Sequence, residues 1–577
     1  MSARWSRQRP VGASVTGQRL AIAAAREASV AAALAMVGRG GNAMDAAVAA
    51  GFVAGVIEPM ETTLAGSGFM MVQAEGATHC VEFGPRAPLA ARADMFSIDS
   101  ARMLDAGLGV SVVEHDANTQ GVLAAGVPAT MPGLCLALAR FGRLPLATVL
   151  QPAITAAYDG FPADAYFALE ALAHLAALRA DPAASAIFLR DGLPPAVPHL
   201  GTATLGAAQM IRQPMLGRSL EILAAQGVEA AIGGEIAQGL LATHRSLGGL
   251  LTAEDLHQAP CIRAPLTLDL GGGFVACLPD APSGGVTVLQ MLAILRGLGP
   301  ASSRNLLFAG WHAFADRYHW LGDPERVPVP MRELLAPDYI AAIVAGIATG
   351  KAPPFPRPGE GPPWEAFARR ALRNPYAGEA PHWAPLSATE EVAGTTHVSV
   401  MDGEGMAVSL THTAANHFGA KVVCPRTGLL LDAAMGWFNA CPGAANSIAG
   451  GKRPLANMAP ALLLKDGAAH AAIGAPGGRR IIPAVASLLR QMADGADAGT
   501  AIATPRVDGS GDAALLDEAL IETAEMLRGE GIPVRLVARE HAPYGYELAR
   551  PMIAALNATG GLEAAADPFS TGFAAAL

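Results

Sequence analysis

Hydrophobic and polar residues alternate most regularly in two short stretches in the second half of the chain. Residues 396–402 read THVSVMD, residues 406–413 read MAVSLTHT, and the sequence DGEG links them. Alternation with a period of two predicts strands, and a short glycine-containing link predicts a hairpin. If the turn is centred in that link, Thr395 pairs with Thr413, and two hydroxyl groups lie side by side at the open end of the hairpin.

The hydrophobic pattern also divides the rest of the chain into helical and strand-like stretches, and it contains no internal repeat. Alanine-rich helices are predicted at 19–38 and 42–56, separated by Gly40-Gly41. Strands are predicted at 68–75, 79–83 and 264–278, and helices over most of 133–255 and at 286–296 and 305–321.

A proline-rich stretch precedes the hairpin. Residues 353–385 contain nine prolines together with Trp364 and Trp383, a composition typical of a loop or linker. The stretch ends just before Gly394-Thr395, so the hairpin begins like the start of a new chain.

A second glycine-rich turn follows the strand-like sequence HAAIGA at 470–475. It reads Pro476-Gly477-Gly478-Arg479-Arg480 and leads into the helix-like sequence PAVASLLRQMADG. Backbone N–H groups at such a turn, with the positive end of the helix dipole, suit an oxyanion hole for acyl transfer. The alternative is a tight turn that needs glycine only for a positive φ.

Composition restricts the class of protein. The chain has 577 residues, of which 51% are hydrophobic and 16% charged, with a net charge of −10 and a pI of about 5.8. These values predict a globular chain long enough for a large core or for two or three domains. No basic stripe interleaved with aromatic residues occurs, so no nucleic-acid partner is expected.

The apolar stretches do not predict export or membrane insertion. The apolar stretch near the N-terminus is interrupted by Arg26 and Glu27, which makes a poor secretory signal. The longest uncharged run, near residues 121–139, contains Pro128 and Pro132 and fits a buried turn and helix better than a membrane span. We therefore expect a cytoplasmic protein without a membrane partner.

No motif calls for a metal or another cofactor. The six cysteines form no C-x-x-C pair, so buried free thiols are expected. Neither an H-E-x-x-H motif nor a P-loop occurs, and a G-x-S-x-G nucleophile elbow is missing.

Several of these stretches together resemble the γ-glutamyltranspeptidase family. The sequences GTTHVSVMDGEGMAVSLTHT, FGAKVVCPRTGLLL, GKRPLANMAPALLLKDG and IGAPGGRRII resemble its small subunit. Upstream, GGNAMDAAVAA, LAGSGFMMV, LPLATVLQPAITAAYDGFP, PSGGVTVLQML and ADRYHWLGDP resemble its large subunit. The resemblance runs in the order of the family from about residue 18 to the C-terminus.

The resemblance implies an N-terminal-nucleophile hydrolase, an α/β protein built as a four-layer αββα sandwich. Such a precursor cuts itself between Gly394 and Thr395, into a large subunit of residues 1–394, with a linker at 353–394, and a small subunit of residues 395–577. The two subunits form one αββα domain. Thr395 is then the nucleophile, Thr413 orients it, and Gly477 and Gly478 hold the oxyanion.

Elementary chemistry agrees with this assignment. The free α-amino group that a cut would create on Thr395 has an ordinary pKa of about 7.7–8.0, so it can act as a base near neutral pH. Nucleophile and base would then belong to one residue.

The sequence departs from the family where a γ-glutamyl group is bound. In Phe83-Gly84-Pro85-Arg86-Ala87-Pro88, Gly84 occupies the position of the family's carboxylate-binding arginine, and Arg86 lies two residues further along. Trp437 replaces the acidic residue that receives the substrate amine, and Ala456-Asn457 replaces a pair of serines. The segment between Trp437 and Arg453 is also shorter than in members that carry a lid loop there.

These departures predict an acylase or amidohydrolase acting on a small amide that is not a γ-glutamyl compound, because a buried zwitterion needs matched partners. Arg86, Trp437 and Asn457 are the expected substrate-binding residues, and the alternative for Arg86 is a surface or structural role. One alternative is a true γ-glutamyltransferase or glutathione hydrolase. Another is an inactive, unprocessed binding protein, against which the intact threonine and glycine set argues. The sequence also leaves room for a higher oligomer.

Overall fold

A computed structural model describes residues 13–99, 113–197, 208–258, 260–300, 302–348, 394–511, 513–539 and 547–577. The proline-rich stretch at 353–385 and all but the last residue of the predicted linker lie outside these ranges.

The strands are listed in chain order. They are β1 Val15–Gly17, β2 Leu20–Ala24, β3 Ser67–Ala74, β4 Ala77–Phe83, β5 Phe161–Pro162, β6 Met210–Ile211, β7 Cys261–Arg263, β8 Leu266–Gly271, β9 Phe274–Leu278, β10 Thr395–Asp402, β11 Ala407–Thr413, β12 Ala461–Lys465, β13 Ala468–Gly474, β14 Val507–Asp508, β15 Ala514–Asp517, β16 Val534–Val537, β17 Met552–Leu556, β18 Leu562–Ala566 and β19 Phe573–Ala576.

The α-helices follow in the same way. They are α1 Glu27–Val37, α2 Ala43–Ile57, α3 Thr130–Phe141, α4 Leu146–Asp159, α5 Ala165–Ala173, α6 Leu175–Ala180, α7 Pro182–Phe188, α8 Pro214–Gln226, α9 Glu229–Ile232, α10 Glu235–Leu247, α11 Ala253–Leu256, α12 Gly285–Leu298, α13 Ser303–Trp320, α14 Met331–Leu334, α15 Pro337–Ala348, α16 Ile481–Ala493, α17 Ala498–Ala503 and α18 Ile521–Gly529.

Two seven-stranded sheets form the centre of the molecule. Sheet I has the order β19-β2-β10-β11-β3-β4-β7, and sheet II has the order β1-β18-β17-β13-β12-β9-β8. Strands β10 and β11 of sheet I pack face to face on β13 and β17 of sheet II. Helices α1, α2 and α3 cover the outer face of sheet I, and α12, α16 and α17 cover that of sheet II. The predicted four-layer αββα sandwich is therefore confirmed.

Helix α2 packs against the hairpin on the outer face of sheet I. All fifteen of its residues are buried, and the small side chains of its alanine-rich sequence let it lie close to sheet I. The side chain of Asn42 caps its N-terminus, and Asp402, in the hairpin turn, accepts a hydrogen bond from the N–H of Ala43 at 2.9 Å. The helix ends at Ile57, so the residues that follow it lie next to the open end of the hairpin.

The helix predicted at 19–38 is wrong in its first third. Residues Leu20–Ala24 form β2, which lies between β10 and β19, and the helix begins only at Glu27. All five residues of β2 are buried on both faces of a central strand. A short apolar run of this kind has no period that distinguishes a strand from a helix.

The expectations for the apolar run near 121–139 and for the cysteines agree with the structure. The apolar run near 121–139 forms a short 3₁₀ turn and helix α3, as predicted. The six cysteines are unpaired, and Cys80, Cys135, Cys277 and Cys424 are buried. Within the described ranges, no helix combines the length and the apolar character that a membrane crossing needs.

Candidate active site

The central hairpin has the register that the sequence predicts. Thr395 pairs with Thr413 and Met401 with Ala407 along the antiparallel strands β10 and β11. The polar residues of the alternation face sheet II instead of solvent, because the Ser399 and Ser409 hydroxyls donate to carbonyl groups of that sheet, at 3.1 and 2.8 Å. The two threonines thus end a buried polar stripe between the sheets.

Both threonine hydroxyls form hydrogen bonds with one carbonyl group, that of Gly394. Their Oγ1 atoms lie 3.1 Å apart, and the Thr395 hydroxyl donates to the carbonyl oxygen of Gly394 at 2.8 Å. The Thr413 hydroxyl donates to the same oxygen and accepts from the N–H of Ala415 at 2.8 Å. A hydroxyl group therefore lies beside the Gly394–Thr395 peptide bond, and a second hydroxyl polarises its carbonyl.

The space around residue 394 admits no side chain larger than that of glycine. A Cβ atom there would lie 2.6 Å from the carbonyl oxygen of Met60, 2.9 Å from that of Asn416 and 3.0 Å from that of Glu61. Its φ lies outside the left-handed region, so close approach of three carbonyl groups, and not a strained turn, explains the glycine.

A buried carboxylate holds the nitrogen of Thr395. The Thr395 N–H donates to Oε2 of Glu61 at 2.9 Å, while Oε1 accepts from the Tyr166 hydroxyl at 2.6 Å and the Arg550 guanidinium at 2.7 Å. Burial by itself would raise the pKa of Glu61. The charges of Arg550 and His417 and the hydrogen bonds from Tyr166 and Thr395 outweigh it and hold that pKa below its usual value.

The two histidines of the hairpin form hydrogen bonds with groups other than Thr395. Nδ1 of His397 lies 2.8 Å from the Thr411 hydroxyl, and Nδ1 of His412 lies 2.8 Å from the Thr62 hydroxyl. Burial lowers the pKa of each imidazole to about 3, so both are neutral. Neither histidine is placed to act as a base for Thr395.

Gly477 and Gly478 form the turn between β13 and α16, where the sequence predicts them. Their φ angles are 136° and 59°, within the region that favours glycine, and a Cβ atom on Gly477 would lie 2.9 Å from the Cα atom of Ala549. The need for positive φ is thus established, whereas the oxyanion role stays a prediction.

Hydrogen bonds connect this glycine turn to Thr395. The carbonyl oxygen of Pro476 accepts from the N–H of Arg550 at 3.0 Å, and the guanidinium of Arg550 bonds Glu61, which holds the nitrogen of Thr395. The turn and the hairpin are therefore fixed relative to each other through Arg550.

Arg86 points toward a charged cluster. Its guanidinium donates to the carbonyl oxygen of Gly451 at 2.9 Å. Burial, and then the nearby charge of Arg453, lower the pKa of Arg86. Arg453 itself pairs with Asp323 at 2.7 Å and with Glu82. Arg86 is thus a partly desolvated cation outside the hydrogen-bonded group around Thr395.

Trp437 and Asn457 lie in other surroundings. Trp437 ends a short 3₁₀ turn and is buried in the main apolar cluster. The N–H of Ala433, which precedes that turn, donates to the carbonyl oxygen of Ala414 at 2.9 Å, next to Thr413. The Asn457 side chain accepts from the buried Arg317 at 3.2 Å. Their substrate-binding roles stay predictions.

Comparison with known proteins identifies the family. The family model described as gamma-glutamyltranspeptidase matches residues 29–577. The chain belongs to the γ-glutamyltranspeptidase family. It is thus a hydrolase of the N-terminal-nucleophile type, as the resemblance implies.

Relatives in the family carry two kinds of name. The chain is 32% identical over 527 residues to the glutathione hydrolase proenzyme of Pseudomonas sp. (strain A14), which covers 86% of this chain and 82% of that protein. It is 33% identical over 514 residues to the acylase ACY 1 proenzyme of Pseudomonas sp. (strain V22), covering 87% and 83%. Sequence identity therefore does not choose between the two kinds of substrate.

A solved structure agrees on the fold. The cephalosporin acylase from Bacillus halodurans superposes with a TM-score of 0.79 at 20% identity, covering 100% of this chain and 98% of that one. At this identity the likeness concerns the fold alone.

Sequence reasoning missed Glu61, Tyr166 and Arg550, the residues around the nitrogen of Thr395. One signal was available for Glu61. The sequence EPMETT at 58–63 places two acidic residues directly after a helix without a polar face, a position where buried carboxylates need partners.

Proposed function

We propose that this protein is a self-processing amide hydrolase that cuts its own chain before Thr395 and then hydrolyses a small amide other than a γ-glutamyl compound. The observation that carries the proposal is the contact of the Thr395 hydroxyl with the carbonyl of the preceding residue, 2.8 Å away, beside the Thr413 hydroxyl. The names of the relatives, which are proenzymes, support a precursor that yields two subunits.

Maturation follows from this contact. Oγ1 of Thr395 adds to the carbonyl carbon of Gly394, and the hydroxyl of Thr413 stabilises the charge that develops on the oxygen. The C–N bond then breaks, the nitrogen takes up the proton that the hydroxyl loses, and an ester remains. Water hydrolyses the ester and leaves residues 1–394 and 395–577 as separate chains.

Turnover uses the same hydroxyl. The new α-amine accepts the proton of Oγ1 as that oxygen attacks the amide carbonyl of the substrate. The leaving amine takes the proton, an acyl-enzyme ester forms on Thr395, and water releases the acid. The N–H groups of Gly477 and Gly478 are the expected oxyanion donors.

The substrate class is inferred from the residues that stand where the family binds a γ-glutamyl group. Gly84, Trp437 and Ala456 lack the charged and polar groups that a γ-glutamyl zwitterion would need, and the amide of Asn457 is bonded to Arg317. An unpaired buried charge costs several kcal/mol. The short segment between Trp437 and Arg453 leaves the acyl-enzyme accessible to water, which favours hydrolysis over transfer.

The alternative function, a glutathione hydrolase, is favoured by the names of several relatives. Comparison of kcat/KM for a γ-glutamyl anilide with that for matched acyl anilides tests the proposal. We expect the γ-glutamyl compound to react at least about a hundredfold more slowly. A faster γ-glutamyl reaction would contradict the proposed substrate class.

Self-processing is tested separately. The small fragment should begin Thr-Thr-His-Val, and Thr395→Ala should remain one chain, whereas Thr395→Ser should still be cut. A wild-type protein that stays intact and inactive would favour the unprocessed binding protein instead.

A further inference from the structure

The carboxylate of Glu61 has no part in the mechanism derived so far, although it contacts the nitrogen atom that self-cleavage releases. We propose that Glu61 is a catalytic residue that promotes this cleavage, because it binds the nitrogen of Thr395 more strongly as an α-ammonium group than as a peptide N–H. The inference rests on the proposed self-processing at Thr395.

Glu61 is held firmly opposite the scissile bond. Its carbonyl oxygen accepts from the N–H of Ala414 at 3.2 Å, so the backbone of Glu61 is attached to the residue that follows Thr413. On the side chain, Tyr166 and Arg550 occupy Oε1 and leave Oε2 for Thr395. With 2% of its surface exposed, the residue cannot exchange these partners for water.

The difference between the two bonds supplies the driving force. In the uncut chain, Oε2 accepts a hydrogen bond from a neutral amide. After the acyl group moves to Oγ1, the nitrogen is an amine that can take up a second proton, and an ammonium beside a buried carboxylate forms a stronger, charge-assisted bond. An interaction that is stronger in the product of a step favours that step.

Charged groups around Glu61 determine its state. Arg550 and His417 lower the pKa of Glu61, Tyr166 donates a hydrogen bond to it, and Glu58 lies near enough that the charge of Glu61 raises the pKa of Glu58. Since Arg550 keeps the carboxylate ionised, Glu61 also favours the protonated form of the α-amine. The amine of the cut enzyme should therefore become a free base at a higher pH than it would without Glu61.

Glu58 offers a matched control. It is a second buried carboxylate, three residues earlier, and its Oε2 accepts from the hydroxyl of Thr396 at 2.8 Å, one residue beyond the scissile bond. The test follows the rate of self-cleavage of full-length wild type, Glu61→Gln and Glu58→Gln on denaturing gels. We expect Glu61→Gln to be slower by about 10- to 100-fold, and Glu58→Gln to stay within about threefold of wild type.

Glu61→Gln leaves Arg550 buried without its carboxylate partner, which can impair folding. The double variant Glu61→Gln/Arg550→Met removes both charges and should fold, as thermal melting would show, yet still cleave slowly. In the fraction of this variant that matures, the acid limb of the kcat/KM profile should move to lower pH by about one unit, because the amine has lost the carboxylate.

The outcomes separate the two proposals. Wild type that is never cut before Thr395 would overturn self-processing and this inference together. If wild type is cut, and Glu61→Gln and the double variant are cut as fast with an unchanged pH profile, only the role of Glu61 is overturned. An equal slowing in Glu58→Gln would also overturn it, because the effect would then not depend on contact with the nitrogen of Thr395.

Discussion

The hydroxyl oxygens of Thr395 and Thr413 lie 3.1 Å apart and share the carbonyl oxygen of Gly394 as acceptor. Thr413 is fully buried, and its position is set by the cross-strand pairing of the hairpin and by the N–H of Ala415. If the chain cuts itself before Thr395, as proposed, the Thr413 hydroxyl can polarise the carbonyl of Gly394 in the precursor and orient the Thr395 hydroxyl afterwards.

Removal of the Thr413 hydroxyl should slow both maturation and turnover. Thr413→Ala loses hydrogen bonds and little apolar contact, so a loss of about 1–2 kcal/mol, or roughly 5- to 30-fold in rate, is expected without a change of fold. Gel-based cleavage rates and kcat of the matured enzyme measure the effect, and Thr413→Ser should recover most of it. Wild-type rates for the alanine variant would remove Thr413 from the mechanism.

A side chain on the glycine turn should reduce turnover. In Gly477→Ala, the new Cβ meets the Cα atom of Ala549 at 2.9 Å, next to Arg550, and displaces the N–H groups of the turn. If these N–H groups form the oxyanion hole, kcat falls by about 10²–10³-fold. Gly495→Ala is the control, since Gly495 also has a positive φ, of 98°, but has nothing within 4 Å. Equal losses in both variants would indicate backbone strain alone.

Glu58 should make stability depend on pH. Burial raises the pKa of Glu58 to about 7, partly offset by the charge of Arg26, whereas an unfolded glutamate titrates near pH 4.3. The folded state therefore keeps a proton that the unfolded state loses, so this contribution is complete below about pH 4 and is lost as the pH rises through about 7.

The test compares Glu58→Gln with its parent, both in the uncut Thr395→Ala background. The melting temperature of the glutamine variant, relative to the parent, should be higher at pH 8 than at pH 5. The same difference at both pH values would mean that Glu58 does not titrate in this range.

Arg86 should distinguish acidic from neutral substrates. Its guanidinium is partly desolvated and bonds one carbonyl group, that of Gly451, so it can take a substrate carboxylate as a partner. Arg86→Met should raise KM for an amide whose acyl group carries a carboxylate by roughly tenfold or more, and should leave KM for a neutral acyl amide within about twofold. Equal changes for both substrates would place Arg86 in a structural role.

The parts of the site that lie close in sequence could be predicted, because local rules determine them. The DGEG turn sets the register that brings Thr395 opposite Thr413, and the strand-to-helix glycines follow from turn chemistry. Contacts between distant segments could not be predicted in this way. Glu61 and Arg550 are 489 residues apart in the chain, and a polar contact between two loops leaves no hydrophobic period.

In the fold, too, features set by local sequence could be predicted and features set by distant contacts could not. The hairpin and most helices follow from periodicity, but β2 was predicted as helix, since only its place between β10 and β19 makes an alanine-rich run a strand. The role of Trp437 and Asn457 depends on where a substrate lies, which no local pattern determines.

The order of strands in the two sheets decides what the proposed cut before Thr395 can release. In sheet I, β2 from the segment before Gly394 lies between β10 and β19 from the segment after it, and in sheet II the later strands β12, β13, β17 and β18 lie between β1 and β9. The terminal Leu577 also exchanges backbone hydrogen bonds with Leu20 and accepts others from Gln18 and Arg19. A cut before Thr395 therefore does not separate the two parts, because their strands are interleaved in both sheets. The two parts should copurify and melt in one transition. Either part produced alone would expose unpaired strand edges, which promote aggregation.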